Sequence, residues 1–333
     1  MLENAARQSA YRRKMVWIAA GAVLLIGLPL ILPNAYQRHV LVLAALFVPL
    51  SMGLNLILGY TGQLAFGFTA FFALGAYAGT LFSIHLAAPF WLSIPLGALF
   101  AGVVAFFLGY PCLRLRGPYF AIMTFAFAAI IELIAANWIS LTNGPMGLRN
   151  PKIPSLEIPG LFTIDLKSEL AFYYVALLLA VITVLWKIRL IGSRFGRAFI
   201  GIRENEDLAA SVGIAPFRYK MFAWVISAVF GGIAGSGYAS YMRIVDPTLF
   251  SLYYVFLAFA MVLIGGAGRI AGPILGAIAF TILPEALRVA DNYRMIIFSG
   301  LLLIFIVFVP KGIAGLFGPR RAQRARRTEE SRP

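Results

Sequence analysis

Charged residues are scarce in this chain. Aspartate, glutamate, lysine and arginine make up 12% of the 333 residues, whereas ordinary soluble domains contain about 25%. Hydrophobic residues reach 61%, and the mean hydropathy is +0.87. A soluble protein of this length would need far more charge to cover its surface. The composition therefore excludes an ordinary soluble domain and indicates an integral membrane protein.

Cysteine and histidine are nearly absent. The chain has one cysteine, Cys112, and two histidines, His39 and His85. One cysteine cannot form an intramolecular disulfide, and no cluster of cysteine, histidine and acidic residues has the spacing of metal ligands. The sequence also lacks a GxxxxGK(S/T) phosphate-binding loop and a GxSxG nucleophile elbow. We therefore expect no catalysis by this chain and no metal or cofactor bound to it.

Long apolar runs dominate what is present. Each run of about 20 residues can cross roughly 30 Å of hydrocarbon as a helix, and lipid favours helices because it cannot satisfy exposed backbone groups. The sequence predicts one all-α domain over 1–333, a polytopic bundle of about 8–10 transmembrane helices in which two segments are candidates for broken or re-entrant helices. The candidate spans are 15–33, 39–58, 68–87, 91–109, 118–139, 169–190, 219–242, 251–267, 270–290 and 295–311.

The net charge of +15 is explained by membrane topology. With a cytoplasmic N-terminus (1–14), the bundle (15–318) returns an arginine-rich tail (319–333) to the same side. About three quarters of the 28 lysine and arginine residues then lie on that side, as the positive-inside rule requires. We therefore expect both termini in the cytoplasm, contact with the lipid bilayer, and no nucleic acid.

Two glycine-rich segments interrupt the apolar runs. Residues 59–67 contain Gly59, Gly62, Gln63 and Gly67, and residues 265–273 repeat the pattern late in the chain. Paired interruptions of this kind mark broken helices beside a transport path. They are equally typical of tight cytoplasmic turns, which is where the predicted topology places both, so the two interpretations stay open.

A carboxylate lies deep in one span. Glu132 is in span 118–139, with Asn137 about one turn further on. A charge at the bilayer centre costs about 2.5–3.5 kcal/mol on insertion scales, so Glu132 should face a wet interior or a partner. The candidate residues of a translocation path are Gly59, Gly62, Gln63, Gly67, Glu132 and Asn137.

A charged segment, residues 194–220, lies between apolar spans and predicts a short helix. Asn205 suits an N-cap, and Glu206 and Asp207 follow in the first turn, where the helix dipole favours anions. The helix should end at Val212, since Gly213 suits the position after a helix.

One side of this short helix should be apolar. Leu208, Ala209 and Val212 are spaced to form a stripe that could enter a groove on a partner. The alternative is a solvated loop on the membrane surface. The residues of the candidate docking helix are Arg203, Glu204, Asn205, Glu206, Asp207, Leu208, Ala209, Val212 and Gly213.

Six groups of short motifs occur in a fixed order along nearly all of the chain after the first span. They lie at 59–67 with 70–77, 113–122, 137–148, 193–214, 265–273 and 310–315. Together they resemble the LivM-like permease subunit of the ATP-binding-cassette (ABC) importers for branched-chain amino acids. The resemblance implies a multi-pass protein of the bacterial inner membrane.

The resemblance also implies partners. These are a second, homologous permease chain, two cytoplasmic ATPases that bind ATP and magnesium, and a periplasmic solute-binding protein. The loop 192–218 would be the coupling loop that seats in an ATPase. The binding protein would dock on outer loops that include Asn143, Gly144 and Gly147.

The chain departs from the family pattern at three positions. Phe68 stands where the family commonly has histidine, Ala129 where it often has glutamate, and Glu132 where it often has arginine. The resemblance therefore predicts transport of branched-chain or hydrophobic amino acids, with a permease for urea, amides or other amino acids as the alternative. A stand-alone secondary carrier or channel is a further alternative.

Overall fold

The computed structural model describes residues 25–30, 32, 34–149, 155–158, 162–165, 168–286 and 312. The predicted termini (1–14 and 319–333), the span 295–311 and most of the span 15–33 lie outside the described residues. The α-helices are α1 (Ala35–Asn55), α2 (Thr69–His85), α3 (Phe90–Cys112), α4 (Pro118–Asn137), α5 (Ile139–Thr142), α6 (Glu169–Gly192), α7 (Arg194–Glu204), α8 (Glu206–Ser211), α9 (Pro216–Met242), α10 (Leu252–Gly265) and α11 (Ala271–Ala286).

Short elements connect these helices. A π-helix, Leu56–Thr61, continues α1, and 3₁₀ turns cover Gly144–Met146 and Pro247–Phe250. The strands are β1 (Leu148–Arg149), β2 (Ser155–Ile158), β3 (Phe162–Asp165) and β4 (Ile244–Val245), of which β1 pairs with β4 and β2 with β3, both antiparallel.

The prediction of an all-α membrane bundle is confirmed. In the described part of the chain, five apolar helices are long enough to cross a membrane, and α10 and α11 are shorter apolar helices. The long helices are Ala35–Thr61, Phe90–Cys112, Pro118–Asn137, Glu169–Gly192 and Pro216–Met242. The last begins three residues earlier than predicted, because Pro216 occupies its first turn, where a missing N–H costs nothing.

Close helix contacts at α9 form the centre of the bundle. A Cβ atom on Gly235 would lie 1.8 Å from the carbonyl oxygen of Phe72 in α2, so only glycine permits this approach. Ser236 donates a hydrogen bond of 2.7 Å to the carbonyl of Gly75. Where α9 contacts α3, the indole N–H of Trp224 donates a hydrogen bond of 2.9 Å to the carbonyl oxygen of Ala105. Small residues let helices pack closely in lipid, which fixes α2, α3 and α9 together.

The loops collect at two opposite ends of the bundle. At the first end lie the π-helix, the α3–α4 turn, α7, α8 and the α10–α11 turn, joined by side-chain hydrogen bonds. At the second end, the pairing of β1 with β4 joins the α5–α6 connection to the α9–α10 connection. We call the first the coupling end and the second the loop end.

Candidate functional site

The predicted short helix exists. Asn205 has extended backbone angles (φ −159°, ψ 111°), and its Oδ1 atom accepts a hydrogen bond of 2.9 Å from the Leu208 N–H, as an N-cap should. The helix ends at Ser211, one residue before the predicted Val212. Gly213 has φ of +88°, a left-handed conformation that favours glycine.

The predicted apolar stripe on α8 divides into two parts. Leu208 is 63% exposed and Val212 is 71% exposed, but Ala209 is only 5% exposed. The prediction that all three share one exposed face is therefore wrong, because α8 lies on the bundle through its alanine side. Leu208 and Val212 are left as an exposed apolar pair beside charged residues.

The two acidic residues of α8 have partners inside the chain. Glu206 forms an ion pair of 2.5 Å with Lys220, whose side chain is buried, and Asp207 forms an exposed ion pair of 3.3 Å with Arg116. The sequence did not reveal either partner, since Arg116 lies 91 positions away. The Glu206–Lys220 pair holds α8 against the bundle, and Leu208 of α8 and Val212 directly after it remain exposed as large apolar side chains.

A second helix precedes α8 and was not predicted. In α7, Ser193 is the N-cap, and its hydroxyl accepts from the Phe195 N–H at 3.2 Å. The buried residues Ala198, Phe199 and Ile202 repeat at the i, i+1, i+4 spacing of an amphipathic helix. That spacing is visible in the sequence, but the arginines around it indicated only a charged flank of the predicted short helix.

Arg203, the penultimate residue of α7, connects the coupling end to α1. Its Nη1 atom donates a 2.7 Å hydrogen bond to the carbonyl oxygen of Gly59, and its Nη2 atom bonds to Glu204 at 2.7 Å. A Cβ atom on Gly62 would lie 2.7 Å from Arg203 Cγ. The guanidinium group therefore lies directly on the π-helix.

The two glycine-rich segments meet beside Arg203. Asn55, which is fully buried, accepts a 2.8 Å hydrogen bond from the Gly268 N–H and donates one of 2.8 Å to the Arg269 carbonyl. A Cβ atom on Gly59 would lie 2.3 Å from Gly268 N. We call Asn55, Gly59 and Gly268 the glycine joint. Asn55 was not predicted, although an amide inside an apolar span is a visible signal.

Both segments are turns between consecutive helices in the structure. The first leads from α1 into α2, and the second leads from α10 into α11. The geometry therefore agrees with the second interpretation of these segments, as turns, except that α1 ends in a π-helix. π-helical turns occur frequently at functional sites.

The other predicted path residues separate. Gly62, Gln63 and Arg203 line a cavity of about 650 Å³ at the coupling end, and Phe66 is one of the apolar residues in its wall. Gly67 is instead buried, and a Cβ atom there would lie 1.8 Å from the Thr124 carbonyl oxygen of α4. Gly67 thus permits the close approach of α4.

Glu132 and Asn137 lie further along α4, toward the loop end. Glu132 is half-buried and forms no ion pair with the described residues, and Asn137 is exposed and bonds to Leu133 of its own helix at 2.8 Å. Neither approaches Gly62 or Gln63. The described part of the chain therefore does not bring the predicted path residues into one channel.

The predicted docking residues form a rigid turn at the loop end. Asn143, Gly144 and Gly147 have φ of 60°, 56° and 68°, and Asn143 Nδ2 donates to the Gly147 carbonyl at 2.9 Å. A Cβ atom on Gly147 would lie 2.3 Å from the Val245 carbonyl oxygen. Met146 projects from this turn with 80% of its surface exposed.

Metal ligation has no support in the part of the chain that the structure describes. There, no group of three histidine, cysteine, aspartate or glutamate side chains could hold a metal ion.

Comparisons with known proteins agree with the resemblance found in the sequence. A model of the family "Branched-chain amino acid transport system / permease component" matches residues 38–307. The high-affinity branched-chain amino acid transport system permease protein LivM of Escherichia coli (strain K12) is 30% identical over 328 residues, which cover 92% of this chain and 76% of the relative. LivM of Salmonella typhimurium is 32% identical over 293 residues, which cover 83% and 69%.

The related permease protein LivH of E. coli (strain K12) is 25% identical over 296 residues, covering 82% of this chain and 92% of the relative. No solved structure matches. The family model covers most of the chain, and the multi-pass helical bundle is what a membrane permease requires. The chain belongs to the branched-chain amino acid transport permease family.

Proposed function

We propose that this chain is the membrane permease of an ABC importer that translocates branched-chain or other hydrophobic amino acids. Its partners are a second, homologous permease, two cytoplasmic ATPases that bind ATP and magnesium, and a periplasmic solute-binding protein. The family membership supports the transport role. The exposed apolar pair at the coupling end supports the proposal that separate ATPase chains supply the energy.

One observation carries the proposal: α8 and its C-cap present the exposed pair Leu208 and Val212, while the adjoining α7 binds the π-helix through Arg203. Burying a leucine or valine side chain contributes about 1.5–3 kcal/mol, so a cleft on an ATPase gains by covering this pair. A displacement of α8 would then be passed to α7, which adjoins it at Asn205. From α7 it would reach Gly59 through the hydrogen bond of Arg203.

The proposed orientation follows from this assignment. The coupling end faces the cytoplasm, together with both termini, and the loop end faces the periplasm of a bacterial inner membrane. The turn with Asn143, Gly144 and Gly147 then receives the binding protein. Because the described residues do not assemble the candidate path within one chain, we place the substrate route between this permease and its homologous partner.

Aspartate substitutions of the exposed pair test the coupling role. In Leu208→Asp/Val212→Asp, we expect at least a tenfold loss of co-purifying ATPase and a matching loss of uptake, with normal insertion in the membrane. Met146→Asp is the control for ATPase recovery, because it places an aspartate on a similarly exposed apolar residue at the opposite end of the bundle. ATPase recovery equal to that of Met146→Asp would exclude α8 as the docking element.

Substrate competition tests the transport role. In proteoliposomes that contain the whole complex and the binding protein, we expect ATP-dependent uptake of leucine that isoleucine and valine reduce and urea does not. Competition by urea alone would favour the amide alternative. Uptake that continues without the ATPases and follows a proton gradient would instead identify a secondary carrier.

A further inference from the structure

A lysine is fully buried in the bundle near the coupling end. Lys187 lies five residues before the end of α6 and has an exposed fraction of 0%. Its Nζ atom donates a 2.9 Å hydrogen bond to the carbonyl oxygen of Met52 in α1 and lies 5.4 Å from the centre of the Tyr60 ring. The carbonyl dipole and the face of the ring both attract a cation.

Burial makes this lysine expensive to keep. Taking an ammonium group out of water is costly, and intramembrane ionisable residues mark functional sites unless they are paired. Among the described residues, no carboxylate forms an ion pair with Lys187. A methionine or leucine would fill the same space at lower cost, so packing alone does not explain the residue.

The contacts of Lys187 lie on both sides of the start of the π-helix. Met52 lies four residues before Leu56, where the π-helix begins, and Tyr60 lies within it. A π-helix bonds each carbonyl to the fifth residue onward and is a rare, costly interruption of an α-helix. Side-chain donors that bind its carbonyls and rings offset part of that cost.

A second side chain, from α7, binds the π-helix itself. Arg203 of α7 donates to Gly59, and α7 follows α6 after a single residue, Ser193. The consecutive helices α6 and α7 therefore contact α1 and the π-helix that continues it at two positions, through Lys187 at Met52 and through Arg203 at Gly59. Only one of these, Arg203, lies in the helix pair that carries the exposed docking residues.

We propose that Lys187 is a positioning residue that fixes the start of the π-helix to α6, so that a displacement of α7 moves the glycine joint together with the helices that hold it. This rests on the proposed function, since it assumes that α8 receives force from an ATPase. Without Lys187, Arg203 still binds Gly59, but the start of the π-helix loses its hydrogen bond to α6.

The test measures coupling, which is the number of ATP molecules hydrolysed per amino acid taken up by the whole complex in proteoliposomes. Lys187→Met removes the amine donor at similar size, and we expect this ratio to rise at least fivefold. Lys187→Arg keeps a buried donor and should stay within twofold of the wild type. Thr183→Val is the matched control, because Thr183 is buried one turn earlier on α6 and, among the described residues, its hydroxyl bonds to Leu179 of its own helix.

A purely structural lysine would give a different result. In that case Lys187→Met lowers uptake and ATP hydrolysis in parallel and leaves their ratio unchanged, which would overturn the proposal. If Lys187→Met does not fold, Lys187→Leu, which also removes the donor to the Met52 carbonyl, gives the same comparison.

A second measurement separates this proposal from the proposed function. If the wild-type complex shows no ATP-driven uptake, the proposed function fails, and amide hydrogen exchange of residues 56–61 in the purified chain still tests Lys187. We expect at least tenfold faster exchange there in Lys187→Met, with residues 206–211 and the Thr183→Val control unchanged. Equal protection of 56–61 in all variants would show that Lys187 does not hold the π-helix.

Discussion

Gly59→Ala should open the glycine joint, because no room exists for a methyl group there. The added Cβ atom would lie 2.1 Å from Asn55 Oδ1, 2.3 Å from Gly268 N and 2.9 Å from Gly268 Cα. Two of these atoms are backbone, so α1 and the α10–α11 turn must separate. Overpacking of this kind costs about 1–3 kcal/mol, and the Asn55–Gly268 hydrogen bond contributes roughly 0.5–1.5 kcal/mol more. We expect a total destabilisation of about 2–4 kcal/mol.

The assay combines thermal unfolding of the purified protein with uptake by the whole complex in proteoliposomes. We expect a Tm lowered by several degrees and uptake lowered more than ATP hydrolysis, because the joint lies between Arg203 and the transport helices. Gly192→Ala is the matched control, since no atom lies within 4 Å of its new Cβ. Alanine there should stabilise the end of α6 slightly.

Comparing the two alanine variants distinguishes a glycine in close contact with a neighbouring turn from a glycine with free space around it. If Gly59→Ala behaves like Gly192→Ala in both Tm and uptake, the close contact between the two glycine-rich turns does not exist in the protein.

Three further substitutions test the packing that supports the site, each by thermal unfolding of the purified chain. Glu206→Gln leaves the buried Lys220 without its carboxylate, so the Tm should fall, and Glu206→Asp should restore part of it. Gly235→Ala places a Cβ atom 1.8 Å from the Phe72 carbonyl oxygen and should lower the Tm more than either of the other two substitutions. Trp224→Phe removes one buried hydrogen bond and should cost about 1 kcal/mol; an unchanged Tm would contradict that bond.

The spans were predictable because each is a long apolar run, and lipid leaves the chain few alternatives to a helix. The α8 helix was predictable for a different reason. Asn205 and Gly213 have side-chain and backbone preferences that act within a few residues, and the structure uses both as expected. Local signals of this kind are fully present in one sequence.

The contacts that connect the coupling end to the bundle were not predictable. Arg203 binds a carbonyl 144 positions away, and Lys187 binds one 135 positions away. No local preference encodes such pairs, since they depend on which helices pack together. The π-helix was hidden for the same reason: its sequence, Leu56–Thr61, differs little from the α-helix that precedes it.

The apolar stripe on α8 shows the limit of periodicity. Helical spacing places Leu208, Ala209 and Val212 near one another, but it does not say which of them the bundle covers. That depends on long-range contacts of α8, such as the ion pair of Glu206 with the buried Lys220. The pair left exposed is therefore a structural finding.

Site-specific photo-crosslinking tests most directly whether α8 receives force from an ATPase. A photoreactive residue replaces Leu208 in the intact membrane complex, and a second variant carries it in place of Met146 at the loop end. We predict that the Leu208 position captures a subunit that mass spectrometry identifies as a P-loop ATPase, and that the Met146 position does not. Capture of lipid alone from Leu208, or of the ATPase from Met146, would contradict the coupling role of α8.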